Sequence, residues 1–271
     1  MVKPDRNTLL AEMGLAPVWR LRAPEPEATP REDFPPAALF APTAPTAPNA
    51  PSESIAPEVP KVPAALTATN ATPAAMDRDA AIRVMAWSDL KQAVPACTAC
   101  GLHAGRKQAV FGVGDERADW LLVGEAPGAE EDRLGEPFVG QAGRLLDAML
   151  AALELKRSDN VYIANVLKCR PPGNRNPQPG EVALCTPYLV RQISLIQPRL
   201  IVAMGRFAAQ TLLATDATIA SLRGRVHGYA GVPLIVTYHP AYLLRNLPDK
   251  AKAWADLVFA RRTIAERAAG R

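Results

Sequence analysis

The sequence predicts an α/β fold of three layers (α/β/α), in which helices cover both faces of a central, mainly parallel sheet. Short apolar runs alternate with longer segments whose apolar residues recur at helical spacing. The predicted strands 119–123, 161–166 and 232–238 also all end in polar, loop-forming residues. In open α/β sheets, ligand sites form at such carboxyl ends of strands.

The region ahead of this fold differs in composition. Residues 22–75 contain thirteen of the 27 prolines and few large apolar side chains, so they cannot bury a core. We expect a disordered, Pro/Ala-rich linker over 22–78 and one folded domain over 79–271. The first segment, 1–21, holds a small apolar island at 7–21. This island is either a short helix that folds back on the domain or a peptide that docks on a protein partner.

Charge is distributed unevenly along the chain. Residues 22–80 have a net charge of −4, whereas residues 81–271 carry 24 basic and 17 acidic side chains and a net charge of +7. A basic domain suits a polyanionic partner such as nucleic acid. No segment approaches the roughly 18 consecutive apolar residues of a membrane span, and the first residues lack the apolar stretch of a signal peptide. We therefore expect a cytoplasmic protein without a membrane partner.

The first half of the domain centres on a stretch rich in glycine and carboxylates, 124–143. Ahead of it we predict a helix over 77–94 and a strand at 119–123, and behind it a helix over 141–154. The inward residues of the first helix are expected to be Ile82, Met85, Trp87 and Leu90. The stretch is either an ordinary glycine-rich connection or a ligand site. Its five acids and its lone Phe138 favour the site.

The second half continues the alternation of strands and helices. The predicted elements are strand 161–166, helix 181–198, a strand-to-helix unit over 199–214, one or two strands over 224–238, and helix 249–268. The last helix shows an apolar stripe of Trp254, Leu257, Val258 and Ile264. In a parallel sheet of this kind, the strand ends would bring Glu125, Asn165 and His239 to one edge.

Four cysteines follow the pattern C-x2-C-x68-C-x15-C, namely Cys97, Cys100, Cys169 and Cys185. In a cytosolic protein, cysteines are metal ligands or free thiols more often than disulfides. One interpretation is a C-x2-C redox pair plus two buried core cysteines. However, Cys169 stands in a predicted loop beside Arg170 and two prolines, where no core cysteine is expected. The pattern therefore favours a four-cysteine metal site, and its spacing allows either zinc or an iron–sulfur cluster.

Three separated motifs, GEAPGAEEDRLGEPFVGQAG, NVLKCRPPGNRNP and HPAYLLR, resemble those of the family 4 uracil-DNA glycosylases, iron–sulfur enzymes of bacteria and archaea. The resemblance covers about residues 90–265. It implies a uracil-DNA glycosylase-like catalytic domain for base excision repair, which flips uracil out of DNA and hydrolyses its N-glycosidic bond. It also implies one structural 4Fe–4S cluster, with all four cysteines as its ligands.

The resemblance further implies the residues of a base pocket. Phe138 corresponds to the side chain that stacks on the extruded uracil, and Asn165 to the amide that reads the base edge. Gly124 and Ala126 would complete the pocket. Ala126 stands where better-known uracil glycosylases carry a water-activating Asp, so a direct base at that position is excluded.

His239 corresponds to the histidine of the family's second motif. A histidine that donates a hydrogen bond to uracil O2 stabilises the leaving anion, and we expect this effect to provide most of the rate. Three carboxylates are candidates for favouring positive charge on the sugar and placing water: Glu125, Glu131 and Asp132. Of these, Glu125 and Glu131 are the expected catalytic residues, and either places water or blocks the methyl group of thymine.

A further set of residues is expected to contact DNA. The loop 240–245 resembles the segment that enters the duplex, basic side chains suit phosphates, and amides at the start of helix 141–154 suit a phosphate. The set comprises Gly140, Gly143, Lys168, Arg170, Arg175, Tyr242, Leu243 and Arg245. The expected partner is uracil-containing DNA, bound by a nucleoid-associated monomer.

Two other functions stay open at this point. One is a non-catalytic or covalently trapping uracil-DNA-binding iron–sulfur protein, and the other is a general nucleic-acid-binding protein that uses its basic face alone. Trapping relatives carry an added basic, His-containing loop after the second strand, whereas the segment CRPPGNRNPQPGEV contains no His. Purely electrostatic binding requires none of Phe138, Asn165 and His239.

Overall fold

The computed structural model describes residues 73–269. The apolar island 7–21 and all but the end of the predicted linker 22–78 lie outside the described residues. The first helix, α1 (Pro73–Val84), starts inside that predicted linker. The regular structure of the described chain therefore begins a few residues ahead of 79.

The centre of the fold is a six-stranded sheet with the strand order β1-β3-β2-β4-β6-β5. Its strands are β1 (Val113–Gly114), β2 (Trp120–Gly124), β3 (Val161–Asn165), β4 (Leu200–Met204), β5 (His227–Tyr229) and β6 (Val232–Thr237). The four central strands run parallel, and the short edge strands β1 and β5 pair antiparallel. Each central strand is an apolar run, as a strand covered on both faces requires.

Helices cover both faces of this sheet. They are α2 (Trp87–Ala96), α3 (Ala129–Leu134), α4 (Gln141–Ala152), α5 (Pro179–Ile196), α6 (Arg206–Leu213), α7 (Ile219–Leu222), α8 (Pro240–Leu243) and α9 (Asp249–Ala269). Because side chains alternate along a strand, Leu121 and Val123 pack with α5, α6 and α7, whereas Trp120 and Leu122 pack with α4 and α9. This arrangement confirms the predicted three-layer fold. None of the described helices is long and apolar enough to cross a membrane.

Two details of the helices differ from the sequence prediction. The predicted helix 77–94 is two helices, α1 and α2, with a break at Met85 and Ala86. The break lets the Trp87 ring pack edge-on against Phe111 at a centroid distance of 5.3 Å. The predicted apolar stripe of α9 included Trp254, but this side chain is 41% exposed. The face of α9 that packs on the sheet contains Leu257 and Ala260.

The strand register decides which residues share one edge of the sheet. Gly124 at the end of β2 lies opposite Asn165 at the end of β3, and Met204 at the end of β4 lies opposite Thr237 at the end of β6. The residues that follow these strands therefore emerge side by side at the carboxyl edge. The predicted convergence of strand ends is confirmed.

Candidate functional site

A cleft of about 640 Å³ opens at this edge of the sheet. It is bounded by the segment after β2, the turn before α4, the end of β3 and the connection between β6 and α8. The predicted site residues that line it are Glu125, Ala126, Glu131, Phe138, Asn165, Arg175, His239, Tyr242 and Arg245. The fold thus gathers side chains that are up to 120 residues apart in the sequence.

The innermost part of the cleft consists of three residues in close contact. A Cβ built on Gly124 would lie 2.4 Å from Oδ1 of Asn165 and 2.6 Å from Cζ of Phe138, so only glycine fits there. Asn165 is 2% exposed, and its Oδ1 has no hydrogen-bond partner among the described residues. A buried acceptor without a partner costs about 1–3 kcal/mol. Oδ1 of Asn165 is therefore a buried acceptor at the inner end of the cleft that lacks a donor among the described residues.

The ring of Phe138 is buried beside this acceptor and stacks on the imidazole of His239, with centroids 5.4 Å apart and planes 30° apart. Phe138 has a φ of 56°, a left-handed conformation that is uncommon outside glycine. The turn can adopt this conformation because residue 143, which packs against the Phe138 carbonyl, is a glycine. A Cβ on Gly143 would stand 1.7 Å from the carbonyl oxygen of Phe138.

His239 caps the N-terminus of α8, and its ring is neutral. The backbone N–H of Ala241 donates to Nδ1 of His239 at 3.1 Å. Burial, together with the nearby positive charge of Arg245, lowers the pKa of His239 to about 4. A neutral ring that accepts at Nδ1 carries its proton on Nε2. His239 is therefore available as a neutral Nε2–H donor at physiological pH.

The carboxylates near the cleft have different roles. Burial raises the pKa of Glu125 to about 7, although the positive charge of Arg206 opposes the shift. Glu131 accepts from the backbone N–H groups of Gly128 and Val139 at 3.1 and 3.0 Å, so it holds the walls of the cleft together. Asp132 is buried and accepts from the Lys107 amide at 2.9 Å. The structure therefore removes Asp132 from the candidates for water placement.

Comparison with known proteins decides the family. The model of the uracil DNA glycosylase superfamily matches residues 111–258. A Type-4 uracil-DNA glycosylase of Archaeoglobus fulgidus is 48% identical over 164 residues, which is 58% of this chain and 82% of that protein. The chain belongs to the Type-4 uracil-DNA glycosylase family.

Two further relatives support this assignment. The Type-4 enzyme of Pyrobaculum aerophilum is 46% identical over 176 residues, 62% of this chain and 89% of the relative. That of Thermotoga maritima is 45% identical over 165 residues, 60% of this chain and 85% of the relative. The residues that the resemblance singled out in the sequence thus belong to a true family member.

Polar side chains form the rim of the cleft in this Type-4 chain. Arg175 makes two hydrogen bonds with Glu181, at 2.9 and 2.5 Å, and Arg170 donates to Oδ1 of Asn174 at 2.7 Å. The hydroxyl of Tyr242 donates to Asp249 at 2.6 Å. The rim also includes residues that the sequence prediction missed, namely Asn174, Arg206 and Tyr238. Asn174 lies in the NRNP segment, and Arg206 follows the Gly205 turn, so both stood next to recognised signals.

Four predicted DNA contacts need correction. Lys168 is 1% exposed, and its ammonium donates to the carbonyl of Asn165 at 2.9 Å and to Gln192 at 2.6 Å, so it cannot reach a phosphate. Leu243 is fully buried in the domain. Gly143 is buried against Phe138.

Gly140 is the remaining correction, because its N–H already donates to Glu131 at 3.3 Å. In the loop itself, the exposed leucine is the neighbour Leu244, which is 40% exposed. Arg245 is also exposed and lines the cleft. The exposed leucine of the loop is therefore Leu244, one residue after the predicted Leu243.

The four cysteines are all free, and three of their sulfurs accept a hydrogen bond from an arginine side chain or a backbone N–H. Cys100, Cys169 and Cys185 belong to one cluster of packed residues, and Cys97 ends α2. The hydrogen bonds to sulfur come from Arg78 to Cys97 at 3.8 Å, from Arg106 to Cys169 at 3.0 Å, and from the Lys168 amide to Cys185 at 3.3 Å. Within residues 73–269, no group of three or more His, Cys, Asp or Glu side chains is arranged to hold a single metal ion.

Proposed function

We propose that this protein removes uracil from DNA by hydrolysing the N-glycosidic bond, which gives free uracil and an abasic site. The observation that supports this function best is the buried, unpartnered Oδ1 of Asn165 between Gly124 and Phe138. Uracil offers a donor at N3 and an acceptor at O4, which match the two ends of a side-chain amide. Cytosine reverses that pattern, so a fixed Asn165 rejects it. A flipped base would satisfy the acceptor and stack on the aromatic ring.

The leaving group is the centre of the proposed mechanism. Bond cleavage places negative charge on uracil O2, and the Nε2–H of His239 donates to that oxygen. Because burial keeps the imidazole neutral, the donor needs no proton uptake before the reaction. A fixed donor aimed at developing charge in a site shielded from water contributes about 3–4 kcal/mol.

Glu125 is the carboxylate that we propose to act on the sugar side. Its side chain lines the cleft, and no described residue donates a hydrogen bond to its carboxylate. The carboxylate of Glu131, in contrast, accepts from backbone N–H groups. Once ionised, Glu125 favours the positive charge of the sugar and can place the attacking water. Glu131 supports the reaction indirectly because it fixes the Phe138 segment. Because Ala126 has no carboxylate, Glu125 is the side chain that we propose to favour the sugar charge and place the water.

We also propose that Cys97, Cys100, Cys169 and Cys185 hold one 4Fe–4S cluster. The donor set fits, because four free thiols and three hydrogen-bond donors to sulfur favour a thiolate-bound metal group. Burial raises the pKa of Cys185 to about 11, so this thiol is protonated until a metal displaces the proton. When bound, the group would cross-link α2, the end of β3 and α5.

The proposed DNA surface is the rim of the cleft. Arg170, Arg175 and Arg245 supply positive charge, and Leu244 takes the place of the predicted Leu243 as the side chain that enters the duplex. Tyr242 shapes the rim through its stack on Tyr238, with centroids 5.1 Å apart. A monomer in the nucleoid, and a protein partner for residues 7–21, stay predictions.

The proposed function is tested on an oligonucleotide with a single U, with C and T oligonucleotides as substrate controls and without added metal. We expect alkali-labile breaks only at U. Asn165→Ala should lower kcat/KM at least about 30-fold, because two base-edge hydrogen bonds of about 1–3 kcal/mol each are lost. His239→Ala should abolish most activity, whereas His227→Ala, on edge strand β5 away from the cleft, should retain it. Intact protein that leaves the U strand uncut would overturn the proposal and favour a binding protein.

A further inference from the structure

The main chain on both sides of Phe138 accepts hydrogen bonds from one side chain, that of Arg157. The guanidinium of Arg157 donates through Nη1 to the carbonyl of Pro137 and through Nη2 to the carbonyl of Phe138, both at 2.8 Å. These are the two peptide carbonyls that flank the residue with a φ of 56°. One side chain therefore fixes both peptide planes of the left-handed residue.

Arg157 is itself oriented by a carboxylate. Oδ1 of Asp147, on α4, accepts from Nε at 3.1 Å and from Nη2 at 2.9 Å. The side chain of Arg157 is 20% exposed, which limits its alternative positions. A planar guanidinium can serve two carbonyls and a carboxylate at once, whereas an ammonium cannot keep that geometry.

The opposite side of the same peptide is closed by Gly143, where any side chain would overlap the Phe138 carbonyl. Just beyond, the amides of Val139 and Gly140 donate to Glu131. The turn is therefore fixed at both its carbonyls and its amides. Such fixation matters because a left-handed conformation costs about 1–2 kcal/mol in a non-glycine residue.

We infer that Arg157 is a positioning residue for the base pocket, which acts by holding Phe138 in the conformation that presents its ring to uracil. This inference rests on the proposed function. Without the guanidinium, the two carbonyls lose their donors, and the turn can relax toward a right-handed or extended conformation. The ring would then leave its stack on His239 and the contact with Gly124. Arg157 itself does not line the cleft.

The test is a double-mutant cycle with Arg157→Ala and Phe138→Ala, read as the single-turnover excision rate on a single-stranded oligonucleotide with one U. Arg157→Ala alone should lower the rate about 10- to 100-fold, because a misplacement of about 1 Å in a residue that positions the substrate can cost up to about 100-fold. In the Phe138→Ala background, the same change should alter the rate less than about twofold, because the two residues act as one unit. Affinity for uracil-free DNA should stay at the wild-type value in all variants.

Two further variants sharpen the result. Arg157→Lys should be almost as slow as Arg157→Ala, because an ammonium carries the charge but cannot form the same hydrogen bonds as the planar guanidinium. Arg199→Ala removes another partly exposed arginine, whose Nη1 lies 3.7 Å from Oδ2 of Asp119. This pair does not line the cleft, so the variant should leave the rate unchanged. If Arg157→Ala fails to fold, the cycle is run with Arg157→Lys.

Equal losses in the two Phe138 backgrounds, or a wild-type rate for the Arg157 variant, would overturn the inference. Either of those results with an active wild-type enzyme leaves the proposed function intact. A wild-type enzyme that does not excise uracil defeats the proposed function instead, so the two failures are distinguishable.

Discussion

The raised pKa of Glu125 predicts how uracil excision depends on pH. With a pKa of about 7, Glu125 is protonated below that pH and ionised above it. If the carboxylate acts on the sugar, the single-turnover rate should rise with pH through 7 and level off near pH 9. At pH 5.5, about 3% of Glu125 is ionised, so the rate should be about 30-fold below the plateau. His239, with a pKa of about 4, stays neutral over this range and adds no second transition.

The assay is single-turnover cleavage of a single-U oligonucleotide at saturating enzyme between pH 5.5 and pH 9. Glu125→Gln should be slow and should lack the transition near pH 7, because the group that titrates there is gone. Glu130→Gln is the matched control, since Glu130 is an exposed carboxylate paired with Arg133, and its pH profile should equal that of the wild type. A flat wild-type profile, a rate that falls as pH rises, or the same transition in Glu125→Gln would refute this role of Glu125.

Three further predictions concern the rim and the turn. Leu243→Ala should destabilise the protein by about 2–5 kcal/mol, seen as a lower thermal midpoint. In contrast, Leu244→Ala should leave that midpoint unchanged and slow excision from duplex more than from single-stranded DNA. Arg245→Ala should reduce the slope of log K against log salt by about one phosphate contact, measured by DNA-binding titrations at several salt concentrations; an unchanged slope would exclude that contact. Gly143→Ala should displace the Phe138 carbonyl and lower the excision rate, and a wild-type rate would contradict the steric argument.

The strands were predictable because local sequence specifies them. Each central strand is a short apolar run bounded by glycine, proline or polar residues, and the predicted limits of β2 and β3 agree with the structure to within one residue. The convergence of Asn165 and His239 followed from parallel strand order alone. The six-residue helix α3 was missed because glycine and proline on both sides made the whole stretch 124–143 look like a loop. The available signal was the run of acids Glu130, Glu131 and Asp132, which is typical of the first turn of a helix.

Burial at the ends of elements was not predictable, because it depends on distant parts of the chain. Lys168 looked like a phosphate ligand in a polar motif, yet Gln192 on α5 and the Asn165 carbonyl enclose its ammonium. Leu243 and Leu244 are neighbours in sequence, and only the docking of α8 decides which one is buried. The link between Arg157 and Phe138 joins residues 19 positions apart through main-chain carbonyls, for which sequence patterns carry no signature.

The connection that leaves β3 places Asn165 and Cys169 only four residues apart. Two of the residues between them are bonded to the end of β2 and the residue after it, because the N–H groups of Val166 and Leu167 donate to the carbonyls of Gly124 and Glu125, both at 3.0 Å. An insertion or deletion here would shift the base-reading amide and a cysteine of the proposed cluster together. We therefore expect this connection to vary among relatives by substitution and not in length. Changes in loop length that alter substrate choice are instead expected in the segment 172–178, which follows the hydrogen bonds to Gly124 and Glu125 in the chain.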